Sequence, residues 1–141
     1  MANRLGLREA RAVVEAILEA AAARNLRFAA AVVDSGGEPI YLARMDGASA
    51  LNARMALNKA YTATKRLRDT KALKERLFDM SLGDDRRDIA WFGDPRFTAV
   101  WGGILLRAED GTVLGALGES GGSPAEDEEL GQLGAARFAA L

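Results

Sequence analysis

Phe97-Thr98-Ala99-Val100-Trp101-Gly102-Gly103-Ile104-Leu105-Leu106-Arg107-Ala108-Glu109-Asp110-Gly111-Thr112-Val113-Leu114-Gly115-Ala116-Leu117-Gly118-Glu119 reads as two strands about a sharp turn. Residues 97–106 and 112–119 are apolar runs of strand length, joined by Ala108-Glu109-Asp110-Gly111. Asp-Gly between such runs is a strong hairpin signal, because glycine accepts the left-handed backbone the turn requires. A second pair lies upstream. The run 28–33 precedes the turn cluster Asp34-Ser35-Gly36-Gly37, and 38–45 follows it. On that later strand Ile40, Leu42 and Arg44 share one face, and Tyr41, Ala43 and Met45 share the other. Two hairpins imply an antiparallel sheet.

Helical periodicity surrounds these hairpins. Over 7–25, Ala10, Val13, Val14, Ile17, Leu18 and Ala21 recur at three- and four-residue spacing. Over 49–68, Ala53, Ala56, Ala60, Ala63 and Leu67 form a small face that predicts close approach to the sheet, while Met55, Lys59, Thr62 and Arg66 lie on another. A short helix over 70–78 follows, with Thr70 as its expected cap. Residues 81–95 read as a loop with aromatic anchors. The last helix is announced by Ser123-Pro124-Ala125-Glu126: a capping serine, a proline at the first helical position, and a glutamate three residues after the cap. The order α-β-β-α-(α)-β-β-α predicts an α+β fold, one domain over 1–141, with a central antiparallel sheet and helices packed on it.

Composition narrows the chemistry. Nineteen basic residues against twenty acidic ones leave a net charge of -1, which argues against a nucleic-acid partner. Histidine and cysteine are absent, so disulfides, thiolate or imidazole metal sites, Ser-His-Asp triads and histidine-ligated haem are excluded. No segment approaches the roughly 20 apolar residues of a membrane helix. The N-terminus shows no secretory pattern, so the expected location is cytoplasmic. The 28 alanines require elements to lie close together, and a core built this way is expected to be completed by self-association.

Three blocks carry a resemblance. The first is Ala31-Val32-Val33-Asp34-Ser35-Gly36-Gly37 leading to Ala43-Arg44-Met45-Asp46-Gly47-Ala48. The second is Asn58-Lys59-Ala60-Tyr61-Thr62-Ala63. The third comprises Gly102-Gly103-Ile104-Leu105, then 110–118, then Ser120-Gly121-Gly122 and Asp127-Glu128. In order and spacing these blocks resemble the GlcG/HbpS-like family, which includes the C-terminal domain of PduO-type proteins. The resemblance implies a compact α+β domain assembled as a homodimer or larger oligomer. It also implies that some members bind haem, that others accompany glycolate or diol metabolism without an assigned activity, and that some related proteins act on small aromatic catabolites. Here iron could be ligated only by Tyr41, Tyr61, a methionine or a lysine, and none sits in a family motif for a haem ligand. These residues require no cofactor, and haem enters through the resemblance alone.

The candidate site residues follow. Arg44 at a strand end could grip a carboxylate with Met45 beside it, and Asp46 could accept a proton; alternatively Arg44 and Asp46 form an ion pair within the turn. Lys59 could be a base, a Schiff-base amine or an anion anchor if buried, and is otherwise a solvated lysine. The resemblance places it, with Tyr61 and Thr62, in a signature helix. Gly121 and Gly122 could line a small pocket with Glu119 or Asp127 as general acid–base, but four successive acids and the lack of a Walker lysine exclude a nucleotide loop. Asp84, Asp85, Asp88 and Asp94 match no calcium-loop spacing and are offset by Arg86, Arg87 and Arg96, so no metal site is expected. Trp91, Phe92, Phe97 and Trp101 could wall a ligand pocket or lie in a subunit interface. The leading expectation is a protein binding a small carboxylated or aromatic compound. Its rivals are a cofactor-independent lyase, isomerase or hydrolase using Lys59, Glu119 and Asp46, a haem protein, and a purely structural oligomer.

Overall fold

Strand β1 (Ala29–Asp34) is buried at its first five residues, so both of its faces are covered. Ala30 and Val32 join Ile104, Leu106 and Leu117 in one core, whereas Ala29, Ala31 and Val33 meet a helix on the other side. The computed structural model describes residues 2–79, 81 and 89–141. Around β1 the chain runs α1 (Leu7–Ala23), β2 (Pro39–Arg44), α2 (Ala50–Arg66), α3 (Thr70–Leu77), a 3-10 turn at Ile89–Phe92, β3 (Ile104–Arg107), β4 (Val113–Ser120) and α4 (Pro124–Ala139). The four strands lie in the order β2-β1-β4-β3, every neighbouring pair antiparallel. The expected α+β order with an antiparallel sheet is what the molecule has.

Two cores of different character flank the sheet. α1 and α4 pack on each other and on one face, bringing Val13, Val14 and Ile17 against Phe28, Leu117, Leu130 and Phe138. Each of these larger side chains contributes about 1.5–3 kcal/mol by leaving water. α2 covers the other face through Ala56, Ala60 and Ala63, against Ala29, Ala31, Val33 and Ala116. Its backbone lies so close that a Cβ added at Gly118 would fall 2.2 Å from the Ala56 carbonyl oxygen. The alanine-rich composition is spent here.

Local signals hold at several ends. Ser123 accepts the Glu126 N–H at 3.2 Å while Glu126 Oε1 accepts the Ser123 N–H at 2.9 Å, the reciprocal cap read from the sequence. In the β1–β2 turn Asp34 Oδ1 accepts the N–H groups of Gly36 and Glu38. Three expectations are corrected. Leu67 does not face the sheet: it closes α2 in the left-handed conformation and is 65% exposed. Thr70 does not cap α3; Asp69 holds that position, and the Thr70 hydroxyl accepts the Gly103 N–H at 2.9 Å instead. Of the strand expected over 97–106 only its end is β-structure. The Thr98, Gly103 and Leu105 N–H groups are taken by side chains of Thr62, Thr70 and Asp69 rather than by a neighbouring strand.

Candidate functional site

Lys59 sits midway along α2 and is fully buried. Glycine opens its route. A Cβ at Gly103 would lie 2.3 Å from the Lys59 carbonyl oxygen, and one at Gly102 would meet Glu119 Oε1 at 2.6 Å and Lys59 Nζ at 3.2 Å. Gly102 has φ of 122°, a backbone that side chains other than glycine rarely allow. The β3 ladder reaches only to Ile104 opposite Leu117, so no β3 residue pairs with Glu119 and the lysine can reach α4. Its ammonium donates to the Glu119 carbonyl oxygen and to Asp127 Oδ2, both at 2.7 Å.

The two acids are held differently. Asp127, in the first turn of α4, also accepts the Gly122 N–H at 2.9 Å, and the helix dipole favours its negative charge. Burial pushes its carboxyl up, and Lys59 and the turn's N–H groups pull it back. Glu119 is fully buried and neither of its carboxyl oxygens has a hydrogen-bond partner. Burial drives its carboxyl well above the usual range, Lys59 opposes this, and the nearby charges of Asp127 and Glu128 reinforce it. A second anion here would have no hydrogen bond and would share its one counter-ion with Asp127, so the arrangement favours Lys59 and Asp127 as an ion pair beside a neutral Glu119. Such a centre can hold a proton. Within one chain all three side chains are sealed from solvent.

An open site lies on a different face of α2. Arg54, Leu57, Asn58 and Tyr61 recur at helical spacing and, with Gly37, Glu38 and Pro39 of the β1–β2 turn and with Arg96, line a concavity of about 240 Å³. Gly37, at φ of 87°, lets the turn lie against the Tyr61 ring. Tyr61 donates to Asp94 Oδ2 at 2.5 Å and accepts from Arg96 Nη2 at 2.6 Å, and the Arg96 guanidinium stacks 3.9 Å from the ring centre. The Asp94 carboxylate, first through this hydrogen bond, holds the Tyr61 hydroxyl above its ordinary value, and Tyr61 in turn lowers Asp94. Arg54 has no ion pair among the described residues.

The residues nominated from sequence therefore divide. Lys59, Glu119 and Gly122 come together, with Asp127. Gly121 packs against the Arg27 carbonyl oxygen at the same turn. Arg44 and Asp46 are exposed and form no ion pair with each other, and Arg44 pairs with Ala29, two strands or about 10 Å from Ser120. Met45 accepts the Phe28 N–H on its sulfur at 3.3 Å. Thr62 accepts the Thr98 N–H, tying the 94–98 segment to α2. Trp91 is 68% exposed and packs edge-on against Phe92, while Trp101 lies beneath the Lys71 ammonium. Asp84, Asp85 and Asp88, with Arg86 and Arg87, lie outside the described residues. Among those described, no group of three or more His, Cys, Asp or Glu gathers to hold a metal. The sequence reading passed over Arg54 as a site residue and took Arg96 only as a neutralising charge. The signal for the first was the 54-57-58-61 spacing; nothing local joins Arg96 to it.

A family profile described as haem degrading protein HbpS-like matches residues 5–136. Protein GlcG of Escherichia coli K12 is 32% identical over 111 residues, 79% of this chain and 77% of its own length. A double mutant of HbpS from Streptomyces reticuli is 29% identical, with a TM-score of 0.80 over 96% of this chain and 88% of that one. A structure described as a PduOC:heme complex shares the fold at a TM-score of 0.84 over 95% of this chain and 94% of that one, at 24% identity. Matched by that profile over most of its length and 32% identical to GlcG, this chain belongs to the HbpS-like family.

Proposed function

We propose that this protein binds a small carboxylated organic molecule in the concavity between α2 and the β1–β2 turn. The observation that carries this reading is that two arginines, Arg54 and Arg96, line one concavity of about 240 Å³. Guanidinium forks match carboxylates in shape and charge. The volume is below the roughly 300 Å³ at which drug-sized pockets begin, which suits a small acid. Tyr61 and Asn58 add hydrogen-bonding groups, Leu57 and Pro39 add apolar wall, and Glu38 can accept from a hydroxyl on the ligand. Exposed Leu42 and Leu51 fit the self-association expected from the resemblance.

Haem, which the family brings to mind, finds no uncommitted iron ligand of a common kind in the described concavities of one chain. In the four concavities of 240 to 560 Å³ described, the only side chain of a kind that commonly ligates haem iron is Tyr61. Its hydroxyl is committed to Asp94 and Arg96. Met45 already accepts an N–H and Lys59 is ion-paired. A lyase or isomerase would use the neutral Glu119 beside Lys59 as its acid, and the seal over those groups favours binding over turnover.

Titration calorimetry with benzoate, 4-hydroxybenzoate and lactate, each against its amide, tests the reading. At least one acid should bind and its amide should not. Arg54→Gln and Arg96→Gln should each weaken binding about tenfold or more, as expected for a lost charged hydrogen bond of about 1.5–3 kcal/mol. Equal binding of acid and amide, or full affinity in both variants, refutes it.

A further inference from the structure

The proposed ligand site already has a carboxylate at its edge. Asp94 is not among the residues lining the concavity, yet it engages two that are: Oδ2 accepts from the Tyr61 hydroxyl at 2.5 Å, and Oδ1 lies 3.4 Å from Arg96 Nε. Asp94 Oδ1 also accepts the Arg96 N–H at 2.9 Å, so the short 94–96 segment folds its carboxylate back onto the side chain of its own neighbour. Arg54, on α2, has no such internal partner among the described residues. One guanidinium of the pair is therefore engaged by the chain's own acid and the other is open.

We propose that Asp94 is a built-in competitor for the ligand's carboxylate: binding of a small acid exchanges Asp94 for the ligand on Arg96 and Tyr61 and releases the hold of Asp94 on α2. The inference rests on the ligand reading above and adds regulation to it. The exchange is physically easy because it replaces one carboxylate by another on the same donors, so neither the Arg96 guanidinium nor the Tyr61 hydroxyl goes unsatisfied. The Asp94–Arg96 contact is also weak in itself, since the Arg96 side chain is 57% exposed and water screens the pair. Removing the competitor should tighten binding without adding any contact to the ligand, as expected when a binding-competent state no longer has to be populated against an internal rival. The Thr62–Thr98 hydrogen bond at 3.0 Å lies outside the exchange and keeps the segment anchored while Asp94 moves.

Asp94→Asn tests this, with Asp94→Ser as a second variant should the first fold poorly; thermal melts establish that each is folded. Affinity for benzoate and 4-hydroxybenzoate is measured by calorimetry in the wild type and both variants. The expected result is binding about threefold to tenfold tighter in the variants, the modest range that removal of a solvent-screened rival contact allows. Binding by a variant alone, with none detected in the wild type, supports the proposal equally. Unchanged or weaker affinity in folded variants, beside clear wild-type binding, overturns it: Asp94 would then position Arg96 and Tyr61 for the ligand, and the ligand reading would stand. If neither wild type nor variants bind any acid, the ligand reading falls and this inference with it.

Discussion

A buried carboxyl without a hydrogen bond is stable only while it keeps its proton, and Glu119 is such a group. An ordinary glutamate titrates near 4.5, and burial holds the folded-state value of Glu119 well above that. Below about pH 4.5 both folded and unfolded chains carry the proton and no penalty arises. As pH rises further the unfolded chain gives the proton up while the folded one retains it, so this side chain lowers stability until the folded-state value is passed. Asp127 acts in the same direction, moderated by Lys59. Glu119→Gln removes the titration while keeping the shape. The difference in melting temperature between variant and wild type should shift in the variant's favour from about pH 5 to about pH 7. A difference that stays constant across that range would mean that Glu119 is ionised in the fold. Lys59 could be nominated from sequence because it lies in a signature block, and Glu119 because it leads into the glycine turn before a capped helix. Their meeting with Asp127 could not be read, because 60 and 68 positions separate Lys59 from its two partners.

At the scale of elements, glycine and alanine set the distance between α2 and the sheet. Gly118 lies under the Ala56 carbonyl and the Ala60 N–H, where a Cβ would have to displace backbone. Gly118→Ala should therefore destabilise the protein by about 1–3 kcal/mol or more through overpacking, read from the midpoint of urea unfolding. An unchanged midpoint would show that α2 can retreat freely. Helix α4 was legible from four residues because a cap is a local device. The stretch 97–103 was misread as strand because its apolar composition says nothing of where its N–H groups bond. Those of Thr98 and Gly103 bond to Thr62 and Thr70, residues of two preceding helices.

For the whole molecule, the arrangement of layers decides what remains accessible. α1 and α4 cover one face of the sheet and α2 lies across the other, so the Arg54–Tyr61 stripe of α2 faces the β1–β2 turn rather than a further helix. The concavity exists because that side is not filled. The same layering closes the Lys59 centre. No described helix is long and apolar enough to cross a membrane. Haemin titration checks the molecule against the haem chemistry that its family description names. The expected outcome is a spectrum close to that of free haemin, unchanged by Tyr61→Phe. A sharp Soret band abolished by Tyr61→Phe would show that Asp94 and Arg96 release the phenol to iron.

The order of the elements, the two hairpins, the reciprocal cap of α4 and the family were all legible in the residues alone. Each is written in periodicity, turn chemistry or motif order, and each acts over a few residues or along an unbroken line. The sequence also ruled out thiol and imidazole chemistry outright, since composition needs no fold to be read. Which arginines line a common concavity depends on the packing of whole elements. Arg44 was the natural choice from its motif, but an antiparallel sheet sets it on an exposed edge strand. Arg54 and Arg96 line one concavity instead because α2 packs beside the β1–β2 turn and the 94–98 segment is tied back to α2. Such meetings depend on packing between elements far apart in the chain, and no local pattern of residues encodes them.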